Sequence, residues 1–373
     1  MTPASRVFRA IAREDVDHLP FCTYNCHPFA WGSHAADPGY SPILAAIRST
    51  GAAMLCKVSA ERVGDGEPVS AEQARDGDTL VSTTTLRTPR GPLVRVTRKP
   101  PDQPPMCVRH FVQDDADIER YLSLGPRKAQ WRVDRLLVAL RDVGESGVAY
   151  LDYGDPFYAV SELFDQEEFM VRCITDPRVG DLVRFEHVRQ REALRSLLEL
   201  LDGLRREQAV PGPWPLLFYT VGPERATPPL LPPSSFEELV VPFQQELVAL
   251  IHEHGHPVSL HCHGRVRQVL PGILSCAFDV LEPAEPPPQG DICLSELLER
   301  CGGRMAIMGY LQDQELHTLS EEEVRSRIRE IAETVGRRSG YVCSPTCTPF
   351  QHPPRQVYVR NYVAWLQEAA QRF

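Results

Sequence analysis

The chain has 373 residues, a formal net charge of -10, and 42% hydrophobic and 24% charged residues. That length accommodates two ordinary domains or one large α/β barrel with insertions, and the composition is that of a globular protein with ample core. The acidic balance, with no run of Lys or Arg, argues against a nucleic-acid groove or an anionic membrane as partner, and no stretch approaches the roughly 20 apolar residues of a membrane span.

The eleven cysteines are odd in number and scattered, which does not suggest a disulfide framework; most read as small buried residues. Met1 to Pro20 lacks an apolar signal core, so a cytoplasmic location is expected. The 34 prolines cluster at Pro100–Pro105, Pro228–Pro233 and Pro283–Pro288, each abutting a strongly patterned segment, and read as rigid loops.

In chain order, Val7 to Arg13 is a short amphipathic helix, and Asp17 to Asn25 a loop and first strand. A helix over Tyr40–Ser49 precedes the apolar strand Ala52–Val58. Thr79–Arg87 and Leu93–Lys99 flank Thr88-Pro89-Arg90-Gly91-Pro92, a hairpin signature that interrupts an otherwise alternating pattern. Residues 116–143 give two helices, Val148–Asp152 a strand, and Val160 to about Leu204 a long helical region. Leu216–Thr220 is a strand, after which Ser234 or Ser235 can cap a helix from Phe236 to about His254. Next come a strand over Val258–Gly264, a helix over Val266–Leu274, a strand over Phe278–Leu281, a helix over Leu294–Arg300 and a strand over Arg304–Gly309. Ser320-Glu321-Glu322-Glu323 is a capping box opening a helix to about Arg338, and Gly340–Cys343 and Asn361–Phe373 are the final strand and helix.

Short apolar strands alternating with long amphipathic helices imply a parallel sheet, and seven or eight such units favour a single (β/α)8 barrel spanning 1–373, with an N-terminal β-hairpin insertion. No Gly-x-Gly-x-x-Gly follows a strand, which weighs against a dinucleotide-binding fold. In such a barrel the chemistry belongs at the C-terminal ends of the strands.

Val258-Ser259-Leu260-His261-Cys262-His263-Gly264 is the most informative stretch. Side chains alternate along a strand, so His261 and His263 face one way and Cys262 the other. Upstream, His252-Glu253-His254-Gly255-His256 fits the zinc-protease pattern H-E-x-x-H. That motif needs an unbroken helix, whereas Gly255 and Pro257 stop one here, at the wrong end of the strand. After the last strand, Cys347 in Ser344-Pro345-Thr346-Cys347 reaches the same mouth; two His and one Cys would give three zinc ligands and an open position. Zinc also ionises a bound thiol near neutral pH. Acids at strand ends, Asp152, Asp155, Glu224 and Glu282, are candidates for ligand, base or substrate anchor, with helix capping the plain alternative for each. Lys57 and Tyr219 join Asp155 as substrate-contact candidates.

Together Gly222-Pro223-Glu224, Ser259-Leu260-His261-Cys262-His263-Gly264, Asp279-Val280-Leu281-Glu282-Pro283, Gly290-Asp291, Met308-Gly309-Tyr310-Leu311 and Asn361-Tyr362 resemble the uroporphyrinogen decarboxylase superfamily, which also contains cobalamin-dependent methyltransferases. The resemblance implies a barrel with its site at the mouth, and a homodimer. Its decarboxylases carry an arginine-rich N-terminal loop; the matching segment Thr23–Trp31 has no arginine, although a polycarboxylate substrate needs several cationic partners. Its zinc methyltransferases carry His-x-Cys-Gly on this strand and a further Cys after the last one. His261 and Cys347 fall on two of those positions, and His263 stands where the first cysteine would be. The resemblance thus implies a zinc-dependent methyltransferase, in which a thiol acceptor takes a methyl group from a corrinoid carried on a partner protein. A cofactor-free decarboxylase and a non-catalytic small-molecule-binding barrel are the alternatives.

Overall fold

The structure, a computed structural model, describes residues 1–63, 69–126, 129–210, 212 and 214–373. Among them eight parallel strands form one sheet: β1 (Cys22–Tyr24), β2 (Ala53–Val58), β3 (Gly147–Asp152), β4 (Leu216–Val221), β5 (Val258–His261), β6 (Val280–Ala284), β7 (Ala306–Leu311) and β8 (Tyr341–Pro345). Neighbours in the sheet are neighbours in sequence, with helices between them, as right-handed βαβ crossovers require. The ring is nearly closed where Phe21 bridges Cys343 and the Cys343 amide donates to the Pro20 carbonyl at 3.0 Å. The expected (β/α)8 barrel is therefore the observed one.

Alternation along the strands sorts the core into two layers. Leu260, Cys262, Leu281, Ile307 and Cys343 face outward, packed with the surrounding helices. Cys22, Ala53, Leu55, Val148, Leu217, Val280, Ala306, Met308 and Val342 point inward and fill the barrel. The first helix, Pro3–Ile11, presses Val7, Ala10 and Ile11 against this inner cluster. Parallel register then sets the height of the site: Lys57 pairs with Tyr150, Tyr219 with Asp152, Val221 with His261, and His261 with Glu282.

Several expected boundaries move, each for a local reason. The long helical region is three helices, Pro156–Ser161, Gln166–Thr175 and Arg178–Arg206. Asp165 caps the second by accepting from the Glu167 amide at 3.0 Å, and Pro177 precedes the third. Neither Ser234 nor Ser235 caps the next helix. It starts at Pro233, whose fixed φ suits a first helical position, and a second helix, Val241–Glu253, follows. The helix expected over Val266–Leu274 is confined to Leu270–Ser275, with Pro271 in its first turn. The strand expected at Phe278–Leu281 lies at Val280–Ala284, which puts Glu282 inside the strand and not beyond its end. The Ser320–Glu323 capping box forms as expected.

The hairpin insertion is larger than its signature. Thr79–Thr88 and Gly91–Lys99 pair as expected, but Val69–Asp76 and Met106–Arg109 extend them to a four-stranded antiparallel sheet. Glu61–Val63 pairs with Gln130–Arg132 at its base. Val69–Asp76 is exposed at every position, so no apolar alternation marks it as a strand. No helix among the described residues is long and apolar enough to cross a membrane.

Strand β3 begins so close to β2 that a Cβ on Gly147 would stand 2.2 Å from the Met54 carbonyl oxygen. Gly147→Ala should lower stability by about 1–3 kcal/mol, read as a reduced denaturant midpoint, because backbone and not a movable side chain opposes the methyl group.

Candidate active site

Two residues above the inner apolar layer, the barrel interior becomes polar. Tyr24, Tyr150, Tyr219, Ser259, His261 and Glu282 line this polar interior, with Lys57, Asp152 and His263 toward the C-terminal ends of their strands. Each side chain owes its place to the two-residue step of its strand: Leu55 to Lys57, Tyr150 to Asp152, Ser259 to His261 to His263, and Val280 to Glu282.

Glu282 is fully buried at the centre of this level. Its Oε2 accepts from His261 Nδ1 at 2.8 Å and from the Tyr150 hydroxyl at 2.7 Å, with the Tyr24 hydroxyl 3.5 Å away. Burial pushes the Glu282 carboxyl pKa up, but the His261 ring and the Tyr150 hydroxyl outweigh it, so the net shift is downward and the group stays a carboxylate. Burial, and then the Glu282 charge, push Tyr24 and Tyr150 well above the usual phenol range, so both remain donors. The Tyr24 oxygen lies 3.1 Å from His261 Nδ1, and Tyr150 stacks on Tyr219 at 3.8 Å between centroids.

His263 repeats the pattern one step higher. Its Nδ1 lies 3.2 Å from Glu285 Oε1. The Gly264 amide donates to Glu285 Oε2 at 2.8 Å, and the Gln312 amide reaches Oε1 at 3.4 Å. Gly264 turns with φ +86°, in the left-handed region where glycine is least strained, and so turns its amide toward that carboxylate. Burial lowers the His263 pKa, but Glu285 outweighs it and the net shift is upward. The rings of His261 and His263 meet edge to face at 4.7 Å. With both Nδ1 atoms engaged by carboxylates, each ring keeps Nε2 for another partner, the bracing by which proteins orient imidazoles toward a metal.

Cys347 follows β8, feels the Asp313, Lys57 and Glu282 charges, and has its thiol pKa raised, chiefly by burial. Its thiol donates to the Thr348 carbonyl at 3.5 Å. Among the described residues no three His, Cys, Asp or Glu side chains converge closely enough to hold a metal ion. The two histidines are thus brought together, while Cys347 stands at the same mouth without completing the set.

The remaining expected residues divide. Lys57 places its ammonium 5.1 Å from the Tyr24 ring and 5.8 Å from the Tyr219 ring, and no carboxylate among the described residues lies within ion-pair distance of it. Asp152 reaches open space at the mouth, yet the barrel wall desolvates it enough to raise its pKa, while its Oδ1 accepts from the Gly154 amide at 2.8 Å. Glu224 sits in the turn after β4 and accepts from the Gly222 amide at 2.8 Å. Asp155 is buried and caps Pro156–Ser161, accepting from the Tyr158 amide and, through its other oxygen, from Gln244; burial lifts its pKa to about 7. Its oxygens serve the local structure. Tyr24, Tyr150, Ser259, Glu285 and Gln312 join the site without having been singled out in the sequence, although a two-residue step down from Lys57 or Asp152 leads to the inward-facing layer that holds the tyrosines.

The upstream H-E-x-x-H pattern is dismantled as expected. The helix ends at Glu253; His252 pairs with Asp279 at 2.8 Å, His254 with Asp202 at 2.6 Å, and His256 is buried against Phe218.

Residues 219–360 match the family described as Uroporphyrinogen decarboxylase (URO-D). Among solved structures the chain is similar to a methyltransferase from Methanosarcina mazei, with 16% identity and a TM-score of 0.59, covering 100% of this chain and 99% of that one. It is also similar to a B12-independent methionine synthase from Shewanella sp. W3-18-1 in complex with selenomethionine, with 13% identity and a TM-score of 0.51, covering 95% and 97%. At these identities the likeness is one of fold. No curated protein matches the sequence significantly.

His256 and, in the loop after β1, His27 are both pushed down to about 4, chiefly by burial. A histidine with a lowered folded pKa contributes stability that is complete above its unfolded value, 6.5, and is lost as the pH falls toward 4, because the unfolded chain takes up the proton first. Each should cost about 3 kcal/mol between pH 7 and pH 4. Denaturation at stepped pH should give a shallower acid decline for His256→Gln than for the parent protein; an identical slope would contradict the assignment.

Proposed function

We propose that the chain is a member of the uroporphyrinogen decarboxylase and methyltransferase-like superfamily, whose family model matches residues 219–360, and that it is a methyltransferase passing a methyl group from a corrinoid or methylated small molecule to a thiol-type acceptor. The observation that carries this reading is the pair His261 and His263, each braced at Nδ1 by its own buried or half-buried carboxylate and facing one mouth. Two oriented imidazoles at the C-terminal ends of barrel strands suit a divalent metal; zinc would be held by His261 and His263, and Cys347 would become the third ligand only by a shift of the loop after β8 toward them.

Zinc, when bound, lowers the pKa of a thiol acceptor so that its sulfur is nucleophilic at neutral pH. The chain's own residues supply the rest. Glu282 and Glu285 hold the Nδ1 protons and fix which nitrogen of each ring faces the mouth. The His261 ring and the Tyr150 hydroxyl keep Glu282 charged. Asp152, whose pKa burial raises, is placed to receive the acceptor's proton, and Lys57, backed by Tyr24 and Tyr219, holds an anionic substrate group. Glu224, in the turn after β4, borders the same opening and shapes its edge.

The absence of arginine from Thr23–Trp31 favours methyl transfer over decarboxylation of a polycarboxylate. Protein purified without chelator should contain about one equivalent of zinc per chain, as a catalytic site with three protein ligands and an open position would bind it. His261→Ala or Cys347→Ala should lose the metal together with at least about tenfold in methyl transfer to a thiol. Metal-free protein of full activity would overturn the zinc reading. Turnover of a carboxylated substrate with release of carbon dioxide would replace methyl transfer by the lyase alternative.

A further inference from the structure

A cavity of about 460 Å³, with Lys57 in its lining, lies between the loop after β1 and the helix Asp134–Val143. Its size is typical of a small-ligand pocket. One wall is apolar and unusually open: Trp31 is 38% exposed and Val138 47% exposed, with Val58 between them. The indole is held in place, stacked on Phe29 at 5.4 Å and donating from Nε1 to Asp142 at 3.0 Å.

The same lining carries charge. Lys57 and Arg135 both line the cavity, and among the described residues neither has a carboxylate within ion-pair distance. Elsewhere in the chain arginines are commonly paired, as in the cluster of Arg172 and Arg178 with Asp115 and Asp176. The single carboxylate on the lining is Asp134, at the first position of its own helix, where the helix dipole partly offsets it. Asp142 stands beside the apolar wall on the Trp31 indole, and the Asp152 and Glu282 charges act on Lys57 from the barrel side, so the two cations of the lining suit a monoanion and not a doubly charged phosphate.

We propose that this cavity is a binding subsite for a small organic monocarboxylate with a one- or two-ring apolar body. The carboxylate lies on Lys57 and Arg135, and the rings lie against Trp31 and Val138. The proposal shares Lys57 with the substrate-binding role given above and adds Arg135 and Trp31; it requires neither the metal nor the methyl step. Lys57 thus borders both this cavity and the barrel interior, where its ammonium lies 5.1 Å from the Tyr24 ring and 5.8 Å from the Tyr219 ring.

The test uses the full chain, 2-naphthoate as probe and the neutral isostere 2-naphthamide as control, with binding read by titration calorimetry and Trp31 fluorescence. The acid should bind at one site and quench Trp31, and 2-naphthamide should bind about tenfold more weakly, the difference expected for one charge-assisted contact. Arg135→Gln should weaken the acid about tenfold without affecting the amide, Arg135→Lys should restore part of the loss, and Trp31→Leu should abolish the quench. Melting curves verify that each variant is folded. Equal affinity for acid and amide, no change in Arg135→Gln, or no binding of the acid would overturn the subsite. His261→Ala should retain 2-naphthoate binding, so failure of the metal site and failure of this subsite are read separately.

Discussion

A carboxylate with no exposure to solvent stands at the centre of the barrel, and much of the polar interior follows from keeping it there. Removing an ion from water costs several kcal/mol unless its oxygens are met by donors. Glu282 meets that demand on one oxygen with the His261 ring and the Tyr150 hydroxyl, and Tyr24 closes the same side. Those donors come from β5, β3 and β1, so the charge ties together strands far apart in sequence. Its second oxygen, Oε1, is buried with no hydrogen-bond partner among the described residues. The arrangement fixes the His261 ring and leaves its other nitrogen turned away from the carboxylate, which is how a cost in folding becomes orientation at a site.

The barrel and the histidine pair were legible because both depend on local period. Strand–helix alternation needs only apolar runs and caps, and a two-residue spacing is enough to put His261 and His263 on one face. The same rule, carried strand by strand, leads from Lys57 to Leu55 and from Asp152 to Tyr150, and so to the inward layer of tyrosines. What period alone does not contain is height. Only the register of Tyr219 with Asp152, and of His261 with Glu282, tells which inward residues share a level. Glu282 shows the difference: read as the end of a short strand it is a mouth carboxylate, whereas in a strand running to Ala284 it is an interior one.

Other features depended on contacts that a linear reading does not hold. Asp155 looks like any acid at a strand end, yet Gln244, brought in from a distant helix, takes its second oxygen and turns it into a structural cap. Of the outer strands of the insertion, Val69–Asp76 is exposed along its length and Met106–Arg109 is only four residues long, so their pairing to Thr79–Thr88 and Gly91–Lys99 is what reveals them. Cys347 reaches the expected mouth because β8 ends there. The path of its loop, stitched by Thr346 to Gln312 at 2.9 Å and by the His34 ring to the Pro349 carbonyl at 2.8 Å, sets where the sulfur stands.

The helix at the start of the chain turns the barrel from a tube into a cup. Val7, Ala10 and Ile11 seal the floor against the inner apolar layer, so nothing passes through from that end. In the proposed methyl transfer the two reactants would use the same opening, and whichever settled deeper would arrive first and depart last. A ligand resting toward Trp31 and Arg135, off to one side, leaves that doorway clear for the second. Ordered arrival and ordered departure would then follow from the shape of the vessel, whatever the chemistry at its bottom.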